Sequence, residues 1–190
     1  LQQMMNGTPT ELIGREHESG MMLDHWQTVQ DGESQFVLLV GEPGMGKSTL
    51  LYDGVRGIIA ADDPELITLN CESYYADSPL HPLINYFERT VFSSDFTLSS
   101  DERIAALRDF VDQLPTDNPE ALQLLTALMS IETNDPDLVI EDASKLVREK
   151  TQQLMVDLLH GLATRKPLLL VVEDIHWADP STLDLLERIL

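Results

Sequence analysis

The feature that most constrains this chain is an unbroken apolar run followed directly by a glycine-rich loop. Residues 36–40 read FVLLV and residues 41–49 read GEPGMGKST. Such a run is typical of a strand buried on both faces of a parallel sheet. The loop matches the pattern G-x-x-x-x-G-K-[ST] in full, and a helix from about residue 47 to 60 is predicted to follow. The sequence therefore predicts a strand–loop–helix unit of an α/β fold.

The residue types in this loop suit a phosphate group. Glycine reaches positive φ and lets the backbone approach a ligand without a Cβ in the way. The amides at the start of the following helix can then bind phosphate oxygens. We expect Lys47 to reach the β- and γ-phosphates of a nucleotide and the Ser48 hydroxyl to hold Mg²⁺. The predicted nucleotide-binding residues of the loop are Gly41, Glu42, Pro43, Gly44, Met45, Gly46, Lys47, Ser48 and Thr49.

A second unbroken apolar run, at 168–172, ends in two adjacent acids, Glu173 and Asp174. Ligands of open α/β sheets bind at the carboxyl ends of the strands. Mg²⁺ prefers carboxylate oxygen, and hydrolysis needs a group that orients or deprotonates water. We expect Glu173 to face the metal and Asp174 to face the water, with Lys47 close to both. The order of the two roles stays open, as does the alternative of two solvated acids that end a strand.

The middle of the chain, from about 74 to 145, differs from the rest because it contains helical patterns and no strand pattern. Ser99 and Glu102 form a capping-box pair ahead of one helix. A further helix is predicted at 118–130, with Pro119 in its first turn. We interpret this region as a helical insertion that follows a strand at 66–71.

The end of the chain contains a predicted long helix at 143–164, the strand at 168–172 and a final helix. Asp179 fits the N-cap of that final helix and Pro180 its first position. We expect Trp177 to lie in the core and His176 to have a structural role. The alternative for His176 is that it senses the γ-phosphate or hydrogen-bonds the glycine loop.

Charge and composition restrict the partners. Twelve basic and 33 acidic residues give a net charge of −21, which disfavours direct binding to nucleic acid or anionic membranes. The single cysteine, Cys71, excludes an internal disulfide and a multi-cysteine metal site. No run approaches the length of a membrane span, so a cytoplasmic location is expected.

Three segments together resemble the AAA-type ATPase module of the STAND class, and more distantly the origin-recognition ATPases. They are ELIGRE at 11–16, the glycine loop, and LLLVVEDIHWADPSTLDLL at 168–186. The resemblance implies that the loop is a Walker A motif and that Glu173 and Asp174 are the Walker B acids. It also implies that Ile13, Gly14 and Arg15, with Leu12, lie against the adenine. Glu173 stands where many relatives carry Asp, and its longer arm can still reach Mg²⁺ through water.

The fold implied by the resemblance is a P-loop NTPase three-layer sandwich with a parallel sheet. Residues 1–10 would be a linker or arm, and 11–190 the N-terminal part of the ATPase domain, with 74–145 inserted between the second and third strands. A sensor strand, an arginine and a helical lid would follow Walker B, so the sheet is expected to be truncated here. We therefore expect 1–190 alone to be poorly stable, with exposed apolar edges at 36–40 and 168–172.

The resemblance implies an ATP-binding, slowly hydrolysing switch module with Mg²⁺ as cofactor and ADP as product. Its partners would be flanking effector domains of the same polypeptide, with self-association on ATP binding possible in this class. Activity of the fragment alone is doubtful. Two alternatives remain, a binding module that never hydrolyses and, less favoured, a small-molecule kinase that uses the same loop.

Overall fold

A computed structural model describes residues 14–140 and 145–190. The chain divides at residue 65 into two compact units, of which the structure describes residues 14–65 and residues 66–140 with 145–190. We call them the first unit and the second unit. None of the helices in the described ranges combines the length and the apolar character that a membrane crossing requires.

The first unit contains two helices, α1 (Glu16–Gln30) and α2 (Lys47–Asp62). They run side by side in the same direction, because Ser19 bonds Asp53 at 2.7 Å and the Trp26 indole donates to Asp62 at 2.8 Å. The helices approach closely at Gly54, where an added Cβ would lie 2.6 Å from the Met22 side chain. The residues buried between them include Met22, Trp26, Leu50, Val55 and Ile58.

The apolar run at 36–40 is where the sequence prediction of a buried strand is wrong. No residue of this run belongs to a strand, and Phe36, Val37, Leu38 and Val40 are exposed. An apolar run has the composition of a strand, but it becomes one only when a neighbouring strand supplies partners for its N–H and C=O groups. In the described part of the chain these residues have irregular backbone instead.

Apart from Glu65, the last residue of the first unit, a small parallel sheet of two adjacent strands lies in the second unit: β1 (Glu65–Asn70) and β2 (Leu168–Glu173). Both strands were predicted from the sequence, at 66–71 and 168–172. Between them lie α3 (His81–Thr90), α4 (Ser100–Val111), α5 (Ala121–Leu128) and α6 (Lys145–Arg165), and α7 (Pro180–Ile189) follows β2. The arrangement agrees with an α/β fold that carries a helical segment between the strands.

The helices of the second unit pack around one apolar core. Its fully buried members include Leu107 of α4, Leu125 of α5, Leu154 of α6 and Leu185 of α7. Arg89 of α3 donates to the carbonyl of Thr68 at 3.2 Å and so ties that helix to β1. Residues of both strands, Leu69 of β1 and Leu170 of β2 among them, belong to this core or pack against it.

The starts of α4, α5 and α7 were predicted from local sequence rules, and one of these three predictions is wrong. Ser99 and Glu102 form the predicted capping box of α4, and Asp179 caps α7 ahead of Pro180. Pro119 is the exception, since α5 begins at Ala121 and Pro119 lies in the turn before it. The turn has its own bonds, in which Asn118 accepts from the backbone of Glu120 and Ala121. These bonds delay the helix by two residues.

Candidate functional site

The glycine-rich loop leads directly into α2, as the motif predicts. Gly44 has φ 84° and Gly46 has φ 79°, the left-handed region in which a Cβ is costly. Gly46 is the N-cap of α2, so the helix begins at Lys47. A Cβ built on either glycine meets nothing within 4 Å. The loop therefore has open space beside its two left-handed residues.

The start of α2 offers hydrogen-bond donors that nothing in the described residues satisfies. No hydrogen bond from the amides of Lys47, Ser48 or Thr49 is found there, and the N-cap glycine has no side chain to accept one. The first amides of a helix carry partial positive charge and suit an anion. This donor set fits a phosphate group.

Lys47 lies across the loop. Its Nζ donates to the carbonyl oxygens of Gly41 and Glu42 at 2.7 and 3.0 Å. These bonds hold the ammonium group against the backbone at the start of the loop. To bind a phosphate, Lys47 must exchange these neutral carbonyls for charged oxygens, which form stronger bonds.

The predicted adenine-contacting segment is described only from Gly14 onward, and Leu12 and Ile13 lie outside the described residues. Gly14 has φ 76° and donates its amide to Glu16 at 3.0 Å. Arg15 pairs with Glu18 at 2.8 Å, and this hydrogen bond lowers the pKa of the Glu18 carboxyl. Adenine contacts by these residues stay a prediction.

The two acids follow β2 in the second unit. Glu173 is the last residue of the strand, and its carbonyl accepts the amide of Cys71 at 3.0 Å. Asp174 comes next and is exposed, with φ 53° and ψ 42°. A non-glycine residue in this region is strained, and such strain is common at functional sites. The carboxyl end of β2 therefore carries an exposed acid on a constrained backbone.

A short 3₁₀ turn, Ile175–Trp177, follows Asp174. The expectation that Trp177 lies in the core is wrong, because its side chain is 44% exposed. His176 is exposed too, and its ring lies 4.9 Å from that of Trp177. Both side chains lie on the turn after the acids, none of whose residues is buried.

Side chains around the ends of the two strands make contacts that sequence reasoning did not predict. Cys71 is buried after β1, and burial raises its thiol pKa to about 11, with Asp179 and Asp174 adding to the effect. His81 stacks on Tyr75 with ring centroids 3.5 Å apart. Burial lowers the His81 pKa, against the opposing charges of Glu72 and Asp179. No local pattern identifies these contacts, because they join segments far apart in sequence.

The loop residues belong to the first unit and the acids to the second, so the predicted proximity of Lys47 to Glu173 and Asp174 stays a prediction. Within the described ranges, no three His, Cys, Asp or Glu side chains gather so as to hold a metal ion unaided. Mg²⁺ ordinarily takes several of its ligands from phosphate and water, so a nucleotide site does not require such a cluster.

The chain is similar to known sequences over most of its length. Over 175 residues the chain is 29% identical to an uncharacterized protein, R02095, of Rhizobium meliloti (strain 1021). The match covers 92% of this chain but 16% of that relative, so the chain spans about a sixth of its length. No solved structure matches the chain significantly. The model of the AAA ATPase domain matches residues 11–190, and the chain belongs to this family of nucleotide-binding ATPase modules.

Proposed function

We propose that this chain is an ATP-binding and slowly hydrolysing switch module of the STAND type within a multidomain signalling or transcriptional regulator. The observation that carries the proposal is the loop at 41–46. It turns through two left-handed glycines into the start of α2 and presents amides without protein acceptors in the described residues. Backbone of this kind binds phosphate oxygens.

The proposal gives each residue a task. The amides of 44–49 and the Lys47 ammonium bind the phosphates, and the Ser48 hydroxyl and Glu173 hold Mg²⁺. Bound Mg²⁺ neutralises charge on the phosphates during transfer. Asp174 orients and deprotonates the attacking water, with the exchange of roles between Glu173 and Asp174 as the alternative. Ile13, Gly14 and Arg15 contact the adenine.

The module would act as a switch because the protein makes different contacts with bound ATP and with bound ADP. ATP would hold a closed form and ADP an open one, and flanking effector domains would read the difference. The small share of the Rhizobium meliloti relative that this chain covers is consistent with a module inside a larger polypeptide. A binding module without hydrolysis is the second candidate, since the same loop serves both.

The first experiment measures ATP binding to the complete protein by calorimetry, comparing Lys47→Ala with Lys145→Ala. Lys145 is an exposed lysine on α6 whose ion pair with Glu149 spans 3.7 Å, so its variant removes the same charge away from the loop. We expect Lys47→Ala to weaken ATP binding by about 100-fold or more, and Lys145→Ala by less than about twofold. Equal ATP affinity of the two variants would contradict the assignment of the ATP site to the glycine-rich loop.

The second experiment measures phosphate release and compares Asp174→Asn with Asp184→Asn, an exposed acid on α7. Loss of a general base costs about 10²–10⁴-fold in rate. We expect Asp174→Asn to keep ATP affinity and lose turnover by this factor, and Asp184→Asn to keep both. If the wild-type protein binds ATP and releases no phosphate, the second candidate is correct. If Asp174→Asn turns over normally, Asp174 is not the base.

A further inference from the structure

A buried carboxylate connects the loop after β1 (72–80) to the end of the loop after β2 (174–178) in the second unit. Asp179 is 2% exposed, and its Oδ1 accepts the amides of Ser181 and Thr182 at 2.9 and 3.0 Å. These are the ordinary bonds of an N-cap. The same oxygen also accepts the amide of Leu80 at 3.1 Å, from a residue 99 positions earlier. Its Oδ2 accepts the hydroxyl of Thr182. Asp179 therefore does more than cap α7.

The bond to Leu80 fixes a strained residue. Leu80 has φ 56° and ψ 24°, and its side chain is 2% exposed in the apolar core. A non-glycine residue stays in this region only where its surroundings hold it there. Leu80 ends the loop that follows β1 and begins α3. The Asp179 carboxylate thus holds the end of that loop from the side of α7.

The loop after β2 (174–178) is held at both of its ends. At its start, Asp174 is strained too, and its carbonyl accepts the amide of Trp177 at 2.8 Å. Where the loop enters α7, the buried side chain of Gln152 donates to the carbonyl of Ser181 at 2.8 Å. The start of α7 is therefore fixed by a hydrogen bond from α6 and by a hydrogen bond from Leu80, at the end of the 72–80 loop.

The cap of α4 shows what an ordinary N-cap looks like in this unit. The Ser99 hydroxyl and the Glu102 carboxylate bond only within residues 99–102, and their bonds are exposed. Asp179 differs because it is buried and has a partner in a distant segment. The difference separates a local helix cap from a clamp between loops.

We propose that Asp179 is a positioning residue that clamps the 174–178 loop to the 72–80 loop and so fixes the backbone from which the Asp174 carboxylate extends. The catalytic part of this inference rests on the proposed function. A group that must orient water loses effect quickly when it shifts, by roughly 100-fold for about 1 Å. A loosened clamp should therefore reduce turnover and leave nucleotide affinity nearly unchanged.

The informative substitution is Asp179→Ser. Serine is a good N-cap, so α7 keeps its cap and the protein its fold, but the shorter side chain cannot also reach the Leu80 amide. Asp179→Asn is the conservative rescue, because its amide oxygen can still accept all three backbone amides. Ser99→Ala is the matched control, a cap loss on α4 that leaves both loops alone.

Hydrogen exchange followed by mass spectrometry on the complete protein tests the clamp without any need for turnover. We expect Asp179→Ser to speed exchange in peptides over 72–81 and 174–178 by about tenfold or more. Asp179→Asn should stay within about threefold of wild type, and Ser99→Ala should change only peptides over 99–103. Wild-type exchange at 72–81 in Asp179→Ser, or equal exchange in the Ser and Asn variants, would overturn the clamp.

Steady-state kinetics then test the catalytic part. We expect Asp179→Ser to lower kcat by about tenfold or more with KM within about threefold, Asp179→Asn to recover most of kcat, and Ser99→Ala to change neither constant. If hydrogen exchange shows loosened loops but kcat is unchanged, Asp179 does not position the catalytic acid. Absence of turnover in the wild type would instead contradict hydrolysis in the proposed function, and the exchange data would still decide the clamp.

Discussion

The backbone amide of Cys71 donates a hydrogen bond of 3.0 Å to the carbonyl of Glu173, joining the residue after β1 to the last residue of β2. The chain's single thiol thus lies beside the strand end that carries the two acids. Its side chain is buried, and burial beside Asp179 and Asp174 raises the thiol pKa to about 11. The reactivity of the thiol can therefore report whether solvent and reagents reach this end of the sheet.

We predict that Cys71 does not react with Ellman's reagent at pH 8 while the chain is folded. With a pKa of about 11, only about one thiol in a thousand is ionised at that pH. Burial blocks access as well. The rate should be at least about 100-fold below that of an exposed thiol, and it should recover in guanidinium chloride. The measurement is absorbance of the released thiolate against time.

Ser34→Cys provides the control for this experiment, because Ser34 is exposed on the loop before the apolar run. Its added thiol should react at the rate of a free thiol in the same sample. If native Cys71 reacts as fast as this second thiol, the thiol is not buried as described.

A second prediction concerns pH and His81. Burial lowers its pKa below the ordinary 6.5, although Glu72 and Asp179 oppose the shift. Above pH 6.5 the imidazole is neutral in both folded and unfolded chains, so it costs no stability. As pH falls through 6.5 the unfolded chain takes up a proton that the folded chain resists, and stability is lost. We expect unfolding free energy to fall between pH 7.5 and 5.5 by more in wild type than in His81→Gln.

Urea unfolding at the two pH values gives this comparison, with His160→Gln as the control. His160 is an exposed histidine on α6. Its replacement should leave the pH dependence of the wild type in place, because its side chain is exposed in the folded chain. A His81→Gln chain with the same pH dependence as wild type would show that this imidazole does not resist protonation.

Local patterns in the sequence predicted those elements whose cause is local. The capping box of α4 needs only Ser99 and Glu102, and the cap of α7 needs only Asp179 and its neighbours. The position of Glu173 and Asp174 follows from the apolar run that precedes them. In each case the residues that determine the structure lie within a few positions of one another, so periodicity and capping rules suffice.

The features that sequence reasoning missed depend on distant partners. The run at 36–40 has strand composition without a strand's hydrogen-bond neighbours, and Trp177 is apolar yet exposed on its turn. The bond from Leu80 to Asp179 joins segments that no pattern relates. Burial and pairing are properties of the folded chain, so they could not be read from residue types alone.

A third prediction separates two glycines that the motif treats alike. Gly46 has φ 79°, so alanine there costs roughly 1–2 kcal/mol of backbone strain. Gly41 has no positive φ, and a Cβ there would lie 3.6 Å from the side chains of Lys47 and Met45, an ordinary contact. We expect Gly46→Ala to weaken ATP binding by about tenfold or more and Gly41→Ala by less than about threefold, by calorimetry. Equal losses would contradict the loop geometry.

The last prediction concerns Gly161, which lies against Pro115. A Cβ at this position of α6 would approach the Pro115 carbonyl oxygen to 2.7 Å, and a backbone atom cannot move aside as a flexible side chain can. Alanine gains up to about 1 kcal/mol in helix propensity, but overpacking of this kind costs about 1–3 kcal/mol. We expect Gly161→Ala to lower the unfolding free energy, measured by urea titration with circular dichroism.

Gly20 of α1 provides the control. It has nothing within 4 Å of its Cβ position and no positive φ, so Gly20→Ala should raise stability by about 0.5–1 kcal/mol. A stabilising effect of both substitutions would mean that α6 and the Pro115 turn do not pack as closely as described.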